Sequence, residues 1–259
     1  MLSLNIPLLQ IQVFFFVFLR VGAILLSMPV LNSKSIPFFF KMCLALATSL
    51  ILLPSLKVTQ FPIFPDFIPL TLGVIGEILI GIIIGFSIRL IFSGIQMAGQ
   101  LAGYQMGLAI ANVMDPASNE QVPLLAQFNN IIAMLIFIAI NAHHWFIRAL
   151  AESYRLVAPF GFHFNNALME QLISSAASMF VIAIKVGSPV IAALLLSSVA
   201  FGLIARTVSQ LNVFIVIMPL KIAVGFLFVG FSLPFLTAFL GRLFNSLGPA
   251  ILNLLKAMT

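Results

Sequence analysis

Runs of apolar residues about as long as a bilayer is thick recur along this chain, and no other feature narrows its fold as far. A helix needs about 20 mostly apolar residues to cross the hydrocarbon core. About six stretches approach that length: 8–30, 37–53, 70–92, 124–140, 172–203 and 213–240. Of the 259 residues, 62% are hydrophobic and only 7% charged, where a soluble domain carries roughly 25% charged residues. So few charges cannot cover a water-facing surface. In lipid the backbone must satisfy its own hydrogen bonds, as helices do. The expected fold is therefore an all-α integral membrane protein, one membrane domain over 1–259, with some helices broken by proline or glycine.

Prolines and short polar turns mark the breaks. Pro37 opens the second stretch and Pro54 closes it. The connector 57–69 holds Pro62, Pro65 and Pro69. Pro189 is expected to kink the fifth stretch near Lys185. Two amphipathic pieces stand apart: WFIRALAESY at 145–154, read as a helix lying in the membrane interface, and a tail from Arg242 to Thr259. The N-terminus lacks the basic start of a secretory signal and is read as a retained first membrane segment. Orientation does not follow from the basic residues. One side would hold Lys34, Lys41, Arg89 and Arg206, the other Lys57, Arg148, Arg155, Arg242 and Lys256. That near-balance means that the rule gives no answer here, or that some stretches do not span as drawn.

The chemistry-bearing residues are few. The net charge of +6 is spread thinly, so no basic run is available to grip nucleic acid. The single cysteine, Cys43, excludes an internal disulfide. His143 and His144 are adjacent and point apart on a helix, which makes them poor joint metal ligands. Gly187-Ser188-Pro189 is not a nucleophile elbow, and no phosphate-binding loop is present. No enzyme activity, cofactor or metal is expected. Arg20, Glu77, Arg89, Lys185 and Lys221 fall within or beside apolar stretches, where charges are costly and are paired or functional. Glu77 is the one carboxylate among them. It suits an ion pair with Arg20, Lys185 or Lys221 better than a proton relay, which needs several carboxylates at depth. A small-solute transporter binding near Glu77 and the broken helices is the rival reading.

The stretch Gly94–Pro123 fits neither a plain apolar helix nor a turn. Gly99, Gly103 and Gly107 stack at spacing four on one helix face, beside Gln96 and Gln100. Gly81 and Gly85 form a similar pair upstream. The helix should break at Asp115-Pro116, since a residue before proline is pushed out of the α region. Tight helix packing is the first reading of the glycines. A pore lining is the second, because irregular backbone at membrane depth is tolerated only inside protein or beside a water-filled cavity. Met97, Met106 and Met114 are flexible enough to seal around changing shapes.

Several motifs follow one another along the chain: Leu19-Arg20-Val21, Ser33–Pro37, Gly103–Leu108, Asp115-Pro116, Asn141–Trp145, Ala205–Phe214 and Pro219–Lys221. Their order and spacing together resemble the FliR family of export-gate proteins. The likeness spans nearly the whole chain; Ser209 stands where the family has proline, and Ala142 where it has glycine. The flagellar branch is favoured over the injectisome branch by Met106–Leu108 and Asp115–Ser118. The resemblance implies a subunit of a type III flagellar export gate in the bacterial inner membrane, within the flagellar basal body. It implies FliP-like and FliQ-like partners in a hetero-oligomer, FlhB-like and FlhA-like export components, and unfolded rod, hook and filament proteins as cargo. Membrane lipid is the surrounding medium. It also implies helices arranged as hairpins packed largely on partner subunits, and a central plug loop at 106–123. On that basis Met106, Gly107, Leu108, Val113, Met114, Asp115 and Pro116 would form the plug. Gly81, Gly85, Gly99 and Gly103 would pack helices, and Arg206, Gln210 and Asn212 would sit at a subunit junction.

Overall fold

The computed structural model describes residues 8–29, 31, 36–55, 67–108, 123–157, 161–207 and 213–258. Among them every regular element is helical: α1 (Leu8–Ser27), α2 (Phe38–Leu52), α3 (Phe67–Met106), α4 (Leu124–Ala139), α5 (His144–Leu156), α6 (Asn166–Thr207), α7 (Val213–Asn245) and α8 (Leu247–Ala257). A 3₁₀ turn, Leu53–Ser55, follows α2 and contains Pro54. Among the described residues three stretches are long and apolar enough to cross a membrane: Ile68–Met106, Asn166–Thr207 and Val216–Ala257. A fourth arises if α4 and α5, broken at 140–143, count as one. α1 and α2 are shorter apolar helices. The chain is thus an all-α membrane protein, with three or four long apolar helices and shorter ones beside them among the described residues.

The long helices exceed their expected bounds. α3 has 40 residues and α6 has 42, so each is about 60 Å long at 1.5 Å per residue. The hydrocarbon core is about 30 Å thick, and helices tilt by up to about 40°. Even at that tilt such a helix overshoots the core by roughly half, so part of each must be covered by protein or water. Within α3, the glycine-rich stretch from Gly94 simply continues the apolar helix. α6 also continues unbroken through Pro189. Proline cannot donate to the carbonyl four residues back, which is that of Lys185. The Ser188 hydroxyl donates to that carbonyl at 3.0 Å instead.

The chain divides into two compact units. The first comprises 1–90, 141–176 and 245–259, the second 91–140 and 177–244. In the first unit α1 packs against α2 and α5, and α5 against α8. α5 buries a single stripe, Phe146, Ala149, Leu150, Ser153 and Tyr154, the i, i+3, i+4, i+7, i+8 pattern of an amphipathic helix. This apolar face is covered by protein, not laid on lipid as the sequence suggested. The tail does likewise: α8 buries Leu247, Gly248, Ile251, Leu254 and Leu255, and the Trp145 ring sits so close to Gly248 that a Cβ there would overlap it. Asn165 caps α6, its Oδ1 accepting from the Leu168 amide at 2.8 Å.

The second unit is centred on aromatic rings. Phe92, Phe137 and Phe244 stack or meet edge-on with centroids 5.3 to 5.7 Å apart. A second cluster joins Ala102, Met106, Leu125, Val190 and Leu194, with Leu108 and Val229 packed against it. Many large apolar side chains face outward in both units, among them Phe39, Leu196 and Phe231. Such faces need lipid or another protein to cover them.

Candidate functional site

Two arrangements stand out, one in each unit. In the first, Arg20 on α1 and Glu77 on α3 are both buried. Arg20 Nε donates to Glu77 Oε2, and Nη2 donates to Oε1 at 2.9 Å. This is a two-pronged pair that only a planar guanidinium can make. Nη1 donates to the carbonyls of Ser153 at 3.0 Å and Val157 at 3.1 Å. Those carbonyls lie at the C-terminal end of α5, where positive charge is favoured; that of Ser153 also accepts from the Val157 amide at 2.9 Å. The guanidinium also lies 4.2 Å from the Tyr154 ring centroid, and the Tyr154 hydroxyl donates to the Val17 carbonyl at 3.3 Å. One side chain thus ties α1, α3 and α5 together. With both its oxygens engaged by Arg20, Glu77 completes a lock between α3 and α1.

Close backbone approaches lie alongside this lock. A Cβ at Gly81 would overlap Ala23 and stand 2.9 Å from the Ile24 nitrogen, and one at Gly85 would overlap Ser27. Both glycines therefore let α3 lie directly on α1. The lock and the glycines occupy successive turns of the same two helices.

In the second unit the geometry centres on the end of α3. The Gly107 amide donates to the Tyr104 carbonyl and the Leu108 amide to the Gly103 carbonyl, both at 3.1 Å. With Gly107 at φ +83, this is a Schellman cap: the glycine takes the left-handed conformation that ends a helix. Met106 is fully buried. Its side chain fills the notch left by Gly225 on α7, where a Cβ would overlap it. Gly107 in turn abuts Met218, whose sulfur would be 2.7 Å from an added Cβ. At Gly99 a Cβ would fall 2.5 Å from the Leu125 carbonyl oxygen and 2.6 Å from the Ala126 Cα, so α3 and α4 touch backbone to backbone. Gly103 is looser, with Leu125 Cδ1 at 3.9 Å. Leu108 and Leu125 share one apolar cluster, so the chain on either side of 109–122 is held at one place.

This cap gives a direct prediction. Gly107→Ala should cost about 1–2 kcal/mol, because a Cβ disfavours the left-handed region. Gly107→Asn should cost less, as asparagine tolerates that conformation. Thermal unfolding of the detergent-solubilised protein reads both; equal midpoints for all three proteins would refute the cap's role.

The remaining sequence candidates are scattered. Lys185 is exposed on α6. Lys221 lines a cavity of about 250 Å³ in the second unit with Phe201, Ala205 and Met218. Arg206 is exposed in the last turn of α6. Val113, Met114, Asp115, Pro116, Gln210 and Asn212 lie outside the described residues. Sequence reasoning put Tyr154 on a helix face with Phe146 and Leu150 but gave it no partner, and it passed over Ser153, Met218 and Gly225. The α5 stripe at helical spacing could have singled out Ser153; no local pattern marks Gly225 as the seat of Met106.

Comparison with known proteins decides the family. A family model described as bacterial export proteins, family 1, matches residues 11–247. The chain belongs to the FliR family of these export proteins. It is 32% identical over 237 residues to the flagellar biosynthetic protein FliR of Escherichia coli strain K12, covering 92% of this chain and 90% of that protein. FliR of Bacillus subtilis strain 168 is 32% identical over 223 residues, covering 83% of each chain. FliR of Aquifex aeolicus is 26% identical over 220 residues, covering 85% of this chain and 84% of that one. Taken with the long apolar helices, membership of the FliR family makes the chain a membrane-embedded component of the flagellar export apparatus.

Proposed function

We propose that this chain is a gate-forming subunit of the flagellar protein export channel in the bacterial inner membrane, assembled with FliP-like and FliQ-like subunits. In this reading it works beside FlhB-like and FlhA-like components and passes unfolded rod, hook and filament proteins. It performs no chemistry of its own; energy comes from its partners. The segment 106–123 closes the channel at rest and yields to a passing chain. The observation that carries the reading is the anchoring of that segment. Met106 and Leu108 at its start, and Leu125 just after its end, belong to or pack on one cluster, so both ends of the segment are held at one place. The outward apolar faces of α2, α6 and α7 supply the surface that partner subunits would cover.

The test is copurification. Expressed with the FliP-like and FliQ-like proteins of the same genome, the tagged chain should elute from mild detergent in a complex containing both. A chain that purifies as a stable monomer and moves a small solute by itself in vesicles would overturn the proposal in favour of a transporter.

A further inference from the structure

An open cavity of about 480 Å³ lies in the first unit, between α1, α2 and α3. Gly22 and Leu26 of α1, Met42 of α2, and Ile82 and Phe86 of α3 line it, with Arg89 on the same wall. That volume is in the range of small-ligand sites. The α3 wall runs from Ile78 to Arg89, about 16 Å at 1.5 Å per residue. This is close to half the hydrocarbon thickness of about 30 Å, the depth of one leaflet. The floor is open, since a Cβ at Gly22 would meet nothing within 4 Å.

Arg89 supplies the second observation. It is exposed on a helix apolar enough to cross the membrane, and it makes no ion pair or hydrogen bond among the described residues. A charge on such a helix calls for a counter-ion. The cavity beside it calls for an apolar occupant. We infer that the cavity binds an anionic phospholipid, one acyl chain lying along α3 between Gly22 and Phe86 and the phosphate meeting the Arg89 guanidinium. A guanidinium suits this role because it meets phosphate oxygens through two parallel N–H bonds. The occupant is a resident lipid of the fold, separate from the bulk lipid around the helices.

The experiment is native mass spectrometry of the full chain, with whatever partners copurify, after exchange into nanodiscs of phosphatidylglycerol or phosphatidylcholine of equal chain length. The unaltered protein should keep one phosphatidylglycerol per chain and shed phosphatidylcholine. Arg89→Gln should lower phosphatidylglycerol retention about fivefold, the effect of one basic residue near an anionic surface. Gly22→Leu adds a side chain at the floor, where a Cβ meets nothing within 4 Å, and should abolish retention while leaving protein yield unchanged. Equal retention of both lipids by the unaltered protein would overturn the inference. So would undiminished retention in Arg89→Gln. A photo-crosslinker at Ile82 that captures a copurified protein in place of lipid would also overturn it, assigning the groove to a protein partner.

Discussion

Arg20→Met is expected to destabilise the first unit by about 3–5 kcal/mol, the usual cost of removing one partner from a buried ion pair. The substitution leaves the Glu77 carboxylate buried without its counter-charge, and it strips the Ser153 and Val157 carbonyls of a donor. Arg20→Lys keeps the charge but not the planar fork, so its stability should fall between those of Arg20→Met and the unaltered protein. The double variant Arg20→Met with Glu77→Leu should recover much of the loss, because no isolated charge remains. It should not recover all of it, since the Ser153 and Val157 carbonyls still lose the donor that Arg20 supplied. Thermal unfolding in detergent, with limited proteolysis at α5 as the local readout, separates these cases. If Arg20→Met unfolded within about 0.5 kcal/mol of the unaltered protein, the scale of a neutral surface change, the lock would hold nothing together.

The lock also explains why α5 is not the interfacial helix that its sequence suggests. A stripe of Phe146, Leu150 and Tyr154 beside exposed Arg148 and Arg155 reads equally well as lipid-facing or protein-facing. What decides is Arg20, 133 residues before Ser153 in sequence, whose donors reach the end of α5. No periodicity within 144–156 reports such a partner. The same holds for Glu77: the sequence offered Arg20, Lys185 and Lys221 as partners, and only the packing of α1 on α3 selects one.

Fold class was legible because it rests on composition and length, which act additively along the chain. Helix ends were less so. Apolar windows stop at the first polar cluster, whereas a helix stops where its backbone is capped. α3 therefore runs past Gln96 and Gln100 to the Schellman cap at Gly107. The glycine ladder proved to be a mixture that spacing cannot sort: Gly99 meets the backbone of α4, Gly103 has room to spare, and Gly107 ends the helix. Their shared face in sequence hides three different physical roles.

That cap bears on the prediction with the largest functional effect. Deleting Asn112–Gln121 should leave the assembled complex intact and make it leak. Leu108 and Leu125 stay in their common cluster, and Ala109, Ile110, Ala111 and Val122 remain to join Leu108 to Pro123. An extended chain covers about 3.5 Å per residue, so these four residues can rejoin two ends held at one cluster. Neither the Met106–Gly225 notch nor the Gly99–α4 contact is touched, so folding and yield should hold. A closed state that opens on the order of 0.1–10% of the time would become mostly open, a rise of roughly tenfold to a thousandfold in leak. Single-complex conductance in planar bilayers measures it, with yield of the complex as the control. Unchanged closed-state conductance at normal yield would remove the closing role from 106–123. It would leave the lock and the cap as devices of assembly alone.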